Sequence, residues 1–169
     1  RPARRFAGGD GMIKIRIAAV GKVKESYFRE GIAEYAKRLS RYCEFEIAEV
    51  KEENFNDRPD DASIAKILKT EGERLSKAAK GYTIAFAVEG RKLSSEKLAR
   101  TIGNLTDSGE GEITFLIGGS YGIDEDLKKR CRDRISFSDM TFPHALMRLI
   151  ACEQIYRAFS ILAGSEYHK

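Results

Sequence analysis

Tryptophan is absent from the chain, and proline, histidine and cysteine are scarce, at three, two and three in 169 residues. Two histidines, His144 and His168, exclude a multi-histidine metal centre within one chain. Cys43, Cys131 and Cys152 are odd in number, far apart and without C-x-x-C spacing. They read as reduced thiols of a cytoplasmic protein, not as a disulfide framework or a zinc site. No apolar run approaches the roughly 18–20 residues of a membrane helix. What is present is 42% hydrophobic and 33% charged, the balance of a globular protein and not of a disordered or fibrous one. The length suits one well-packed domain and no second.

Charge of one sign is also in short supply. Residues 1–11 (RPARRFAGGDG) precede Met12, carry three arginines and one aspartate, and read as a tag remnant or an over-extended start outside the fold. Without them the 30 basic and 26 acidic residues fall to 27 and 25, a net of +2. A nucleic-acid partner therefore has to be argued from local clustering. Residues 12–169 are read as the single domain.

Ile13–Val20 alternates as a first strand should, and Ser26 is the expected cap of a helix through Leu39. Phe45–Val50 reads as a strand, Lys51–Asp61 as the longest loop and Ala62–Lys80 as a helix. Tyr82–Val88 and Ile113–Ile117 are continuous apolar runs, which suit a sheet covered on both faces. A helix entered through Ser94 separates them. Asp124–Arg132 reads as a short helix, Arg134–Phe137 as a strand and His144–Leu162 as the last helix. Strands alternate with helices throughout, so the fold class is α/β with a mostly parallel sheet flanked by helices.

Three loops fall at the carboxyl ends of these strands, where open α/β sheets bind ligands. They are Glu89-Gly90-Arg91, Gly118-Gly119-Ser120-Tyr121-Gly122 and Ser136–His144 (SFSDMTFPH). Alone, the glycine loop reads equally as a tight strand-to-helix turn, and His144 as a first-turn residue with a structural role. Asp124, Glu125 and Asp126 would repel a phosphate, and no P-loop lysine is present, which argues against a nucleotide hydrolase. Together the three loops point to a cofactor pocket. The last helix carries Arg148, Glu153 and Arg157 on an apolar surface, the pattern of an interface helix or of a simple surface ion pair. The tail Tyr167-His168-Lys169 offers stacking, proton transfer and phosphate contact side by side. Among the basic clusters, Lys22 and Lys24 after the first strand are more suggestive than Lys37, Arg38 and Arg41 at a helix end or Lys128–Arg134 (KKRCRDR).

Taken together, AVGKVKE (Ala19–Glu25), FLIGGSYG (Phe115–Gly122), SFSDMTFPHALMR (Ser136–Arg148), EQIYRAF (Glu153–Phe159) and the terminal YHK closely resemble the bacterial ribosomal large subunit methyltransferase H family of the SPOUT superfamily. The resemblance runs from Met12 to Lys169. It implies an α/β domain with a C-terminal trefoil knot, acting as a cytoplasmic homodimer. It further implies methyl transfer from S-adenosyl-L-methionine to N3 of a pseudouridine in helix 69 of 23S rRNA within the 70S ribosome. No metal and no membrane are implied. Carried over, the cofactor residues are Phe86, Gly118, Phe137, Ser138, Asp139, Met140, Thr141 and Phe142. On this reading His168 takes the N3 proton, Tyr167 stacks on or orients the base, and Arg148 stabilises charge on a carbonyl oxygen. The rival expectations are a ribosome-binding factor without catalysis and a related methyltransferase acting on tRNA.

Overall fold

The computed structural model describes residues 6–8, 11–54 and 57–168. Its elements run β1 (Ala7–Gly8), β2 (Gly11–Met12), β3 (Lys14–Val20), α1 (Ser26–Leu39), β4 (Glu44–Val50), α2 (Asp61–Ala78) and β5 (Tyr82–Lys92). They continue with α3 (Ser95–Asp107), β6 (Glu112–Ile117), α4 (Glu125–Arg130), β7 (Asp133–Ser136) and α5 (His144–Leu162). Five strands form one sheet in the order β4-β3-β6-β5-β7, and every pairing in it is parallel.

Side-chain alternation along β3 explains why both faces are covered. Ile15, Ile17 and Ala19 point to one face, where Ile32 and Leu39 of α1, Leu98 and Ile102 of α3, and Ile155 and Phe159 of α5 pack. Ala18 and Val20 point to the other, against Leu75 of α2 and Leu127 of α4. Thr114, fully buried, is satisfied by the backbone of Lys80, whose N–H it accepts at 3.0 Å and whose carbonyl it donates to at 2.6 Å.

Helix entries follow the local chemistry in most places. Asp60, Ser94 and Asp124 each accept a backbone N–H three residues on, capping α2, α3 and α4. The expected Ser26 cap is corrected: Glu25 occupies the cap position without a side-chain hydrogen bond, and Ser26 is already helical.

Two further readings change. Residues 1–11 are not wholly outside the fold. Phe6 is 7% exposed, with its ring 5.2 Å from that of Phe159 and 6.2 Å from that of Tyr42. Its carbonyl accepts the N–H of Ile13 at 2.9 Å, and β1 pairs antiparallel with β2. Burial of the Phe6 ring against Tyr42 and Phe159 supplies the apolar contact that holds this residue on the core. Residues 1–5, 9 and 10 lie outside the described residues.

β5 is also longer than its apolar run. Phe86 and Arg91 both pair with Ile135 of β7, so residues 87–90 form an arch between two contacts with one partner. A Cβ on Gly90 would lie 2.7 Å from the Ile135 backbone, so only glycine lets the arch close that tightly.

Candidate functional site

The arch, the glycine loop and the loop after β7 enclose a cleft of about 130 Å³ at the carboxyl ends of β5, β6 and β7. Phe86, Gly118, Phe137, Ser138, Met140, Thr141 and Phe142 line it, as do Val88, Ile135, His144 and Met147. The structure thus brings every one of the eight candidates except Asp139 to the lining of one cleft. That carboxylate is turned away to Lys92, at 2.5 Å, and is 76% exposed.

Each wall has a local cause. A Cβ on Gly118 would stand 2.3 Å from the Gly122 carbonyl oxygen, and Gly122 adopts φ +87°, so the glycine loop folds back on itself. Phe86 is stacked between Phe115 and Phe137, with ring centres 5.3 and 4.5 Å apart, which fixes the floor. Ser136 donates to the Ser138 carbonyl at 2.9 Å, and the Ser138 hydroxyl accepts the Met140 N–H at 3.0 Å. These two bonds hold the loop in a tight turn. The arch is tethered from outside by Lys128 to Glu89 and by Arg91 to Asp133. The Lys128 hydrogen bond holds the Glu89 carboxyl below the usual carboxylate range.

His144 lines this cleft, a placement that its position in the first turn of α5 did not reveal. Its Nδ1 is buried and has no hydrogen-bond partner. A buried polar atom without a partner costs about 1–3 kcal/mol, so this nitrogen is unsatisfied as it stands.

The three residues expected to act on substrate are not brought together within one chain. Arg148 is the clearest correction. It is 2% exposed, donates to Glu49 at 2.6 Å, and donates through its other amino group to the carbonyls of Val20 and Gly21 at 3.3 and 3.1 Å. A guanidinium spent on strand-end carbonyls beneath α5 is not available to a substrate oxygen.

Tyr167 and His168 dock on the far half of α5. The Tyr167 hydroxyl donates to Glu153 at 3.1 Å and lies 3.2 Å from that of Tyr35, and Arg157 sits 4.8 Å over its ring. Burial first, then the Tyr35 hydrogen bond, pushes the Tyr167 phenol above its ordinary value. His168 Nδ1 accepts from Arg157 at 3.2 Å, and Nε2 faces Glu96 at 2.8 Å. The His168 hydrogen bond pulls Glu96 from its ordinary 4.5 to about 2. At about 1.5 Å per residue, Arg157 is roughly 20 Å along α5 from His144.

The remaining clusters sort simply. Burial pushes the Cys43 and Cys152 thiols up to about 12, which makes them inert. In the KKRCRDR run, Lys128 and Arg134 are paired with acids and Arg132 lies over Tyr82. Among the described residues no group of three or more His, Cys, Asp or Glu side chains is placed to hold a metal, and no helix is long and apolar enough to cross a membrane.

An all-parallel α/β sheet whose last three strands end in a glycine loop, an arch and a hydrogen-bonded turn around one cleft defines a ligand-binding class of enzyme fold. Residues 13–168 match the model of the predicted SPOUT methyltransferase family, and the chain belongs to that family. It is 48% identical over 159 residues to the ribosomal RNA large subunit methyltransferase H of Limosilactobacillus reuteri, covering 93% of this chain and 100% of that protein. Among solved structures it is similar to a probable methyltransferase from Bordetella pertussis, at a TM-score of 0.53 and 18% identity, over 87% of this chain and 96% of that one. The tRNA (m1G37) methyltransferase of Aquifex aeolicus follows at 0.50 and 16%, over 92% of this chain and 73% of that one. Both structures share the fold.

Proposed function

We propose that this chain transfers a methyl group from S-adenosyl-L-methionine to N3 of a pseudouridine in the large-subunit rRNA of the assembled ribosome, working in the cytoplasm as a homodimer. The observation that carries the reading is the cleft itself: backbone edges, apolar walls and one unpartnered buried nitrogen on His144. The near-full-length likeness to a ribosomal RNA large subunit methyltransferase supports the substrate class.

The residues present fit the cofactor. Backbone N–H and C=O groups of residues 137–142 can read an adenine edge, Gly118 admits close approach, and His144 Nδ1 can meet a polar group of the ligand. Bound there, the cofactor supplies a methyl already activated on a sulfonium. Phe86, Ile135, Phe137 and Met147 exclude water, which strengthens the electrostatics of a charged donor. Alignment of that methyl with N3 can account for about 7–11 kcal/mol of the barrier.

N3 carries an imide proton, which needs a base. His168 is assigned that role and Tyr167 the orientation of the nucleobase, with the tail of one protomer closing over the cleft of its partner. The roughly 20 Å along α5 between Arg157 and His144 supports a site shared between protomers over one built within a chain. The reading includes the family's trefoil knot, and the double pairing of β5 with Ile135 around the arch supports it.

The test is methyl transfer from labelled S-adenosyl-L-methionine to 70S ribosomes, to ribosomes lacking the target pseudouridine, and to tRNA. Label on N3 of that nucleotide alone is expected. Label in tRNA, or tight ribosome binding without label, overturns the reading in favour of a tRNA enzyme or a non-catalytic factor.

A further inference from the structure

We propose that Tyr27, together with Lys22 and Lys24, forms a docking surface at the mouth of the cleft for an unpaired nucleotide of the RNA substrate next to the target base. The inference rests on the RNA-methylating reading above and assigns it residues that neither the cleft nor the tail contains.

Tyr27 is 65% exposed, an unusual state for a large aromatic ring on a helix. It is held in place and not loosely displayed: its ring centre is 4.5 Å from that of Phe28, which packs against the core. One face is thereby left to solvent. The segment beneath it is equally fixed. Val23 is buried, and Arg29 donates to the Lys24 carbonyl at 3.0 Å.

The position follows from the packing of α1 on α5. A Cβ on Gly31 would meet the Leu149 side chain at 3.0 Å, and further along the same two helices the Tyr35 ring centre lies 5.9 Å from that of Tyr156, the rings tilted. The helices therefore run side by side in the same direction. One turn back from Gly31 and Leu149 lie Tyr27, near the start of α1, and Ala145, near the start of α5, the helix that also carries His144 and Met147 of the cleft wall. Lys22 and Lys24 leave the end of β3, where Val20 lies against Gly119 of the glycine loop.

The chemistry selects the occupant. Residues 22–29 carry three cations (Lys22, Lys24, Arg29) and one acid, Glu25. Among the described residues no acid pairs with Lys22 or Lys24, both exposed, whereas in the basic run Lys128–Arg134 both Lys128 and Arg134 are paired with acids. A fixed aromatic face beside unpaired ammonium groups suits a nucleobase with its flanking phosphates. Stacking of this kind is tolerant of base identity.

The experiment uses the full chain and purified 70S ribosomes, with affinity read by filter binding independently of turnover. Tyr27→Ala is expected to weaken ribosome affinity by about fivefold to a hundredfold, whereas Tyr27→Trp and Tyr27→Phe retain it. Affinity for S-adenosyl-L-methionine by calorimetry should be unchanged in all three. The double variant Lys22→Gln/Lys24→Gln should lower the slope of log affinity against log salt by about 1.4. Ribosome affinity of Tyr27→Ala equal to that of the unmodified chain overturns the proposal. So does a fall in sedimentation coefficient to that of a monomer, which would make the ring part of a protein interface. An unmodified chain that binds ribosomes but transfers no methyl sinks the enzymatic reading alone, and the Tyr27 comparison still decides this one.

Discussion

Arg148 and Glu49 join the last helix to the edge strand through a contact of 2.6 Å in which the two partners are unequally solvated, at 2% and 41% exposed. The inequality sets the direction of mutational effects. Glu49→Ala strands a buried guanidinium and is expected to cost about 3 kcal/mol. Arg148→Met leaves a carboxylate that water can reach, and costs about 1–2 kcal/mol through the lost bonds to Val20 and Gly21. Urea denaturation of both variants measures this, and equal costs would refute the asymmetry.

Gly118→Ala should close the cleft and not unfold the sheet. Its Cβ would have to displace the Gly122 carbonyl from 2.3 Å, and that oxygen belongs to the loop and not to the core. Cofactor affinity is expected to fall at least about tenfold, since each 1.4 kcal/mol of displaced backbone contact is a factor of ten. Calorimetry gives the number. A variant binding as tightly as the parent would remove the glycine loop from the site.

His144→Phe separates a ligand contact from a structural one. Removing a buried nitrogen that has no partner should leave the free protein as stable or up to about 1 kcal/mol more stable, while cofactor affinity drops. Loss of stability without loss of affinity would mean that the imidazole serves packing only.

The tail is pinned at both imidazole nitrogens. Arg157 can only donate, so Nδ1 of His168 accepts and Nε2–H donates to Glu96. Because Glu96 is depressed from 4.5 to about 2 in the folded chain, its contribution is complete above about pH 4.5 and is lost as pH falls through about 2. A carboxyl NMR titration should show that midpoint, returning to the ordinary carboxylate range in His168→Ala. The same arrangement means that Arg157 must leave Nδ1 before His168 can take a proton there. If His168→Ala kept full turnover with unchanged RNA binding, the base assignment would fall.

Strand and helix order was legible because apolar runs and spacing agree: Ser94 announces its helix, and Ile113–Ile117 is a continuous apolar run of strand length, whereas the Asp60 and Asp124 caps emerge only in the structure. The arch was not legible, since an apolar run ends at Val88 and the renewed pairing at Arg91 depends on β7, more than forty residues on. Arg148 on an apolar helix reads as a charge seeking a partner molecule, and only the fold reveals the strand-end carbonyls waiting beneath it. Phe6 was missed for a similar reason, because one aromatic residue in a polar leader has no periodicity to betray it. The loop after β7 was singled out as a cofactor candidate by resemblance, and the structure turns the Asp139 carboxylate away from the cleft to Lys92.

The sheet order has a consequence for biosynthesis. Every strand pair in β4-β3-β6-β5-β7 is parallel, so none forms from a local hairpin, and each awaits a crossover. The core at Tyr42 and Phe6 is finished only when Phe159 arrives with α5. A nascent chain stalled before α5 therefore exposes the face of the sheet that α5 covers, together with the apolar flanks of α1 and α3. Packing of α5 is therefore the step that closes this face of the core, and the apolar surface stays open until that step.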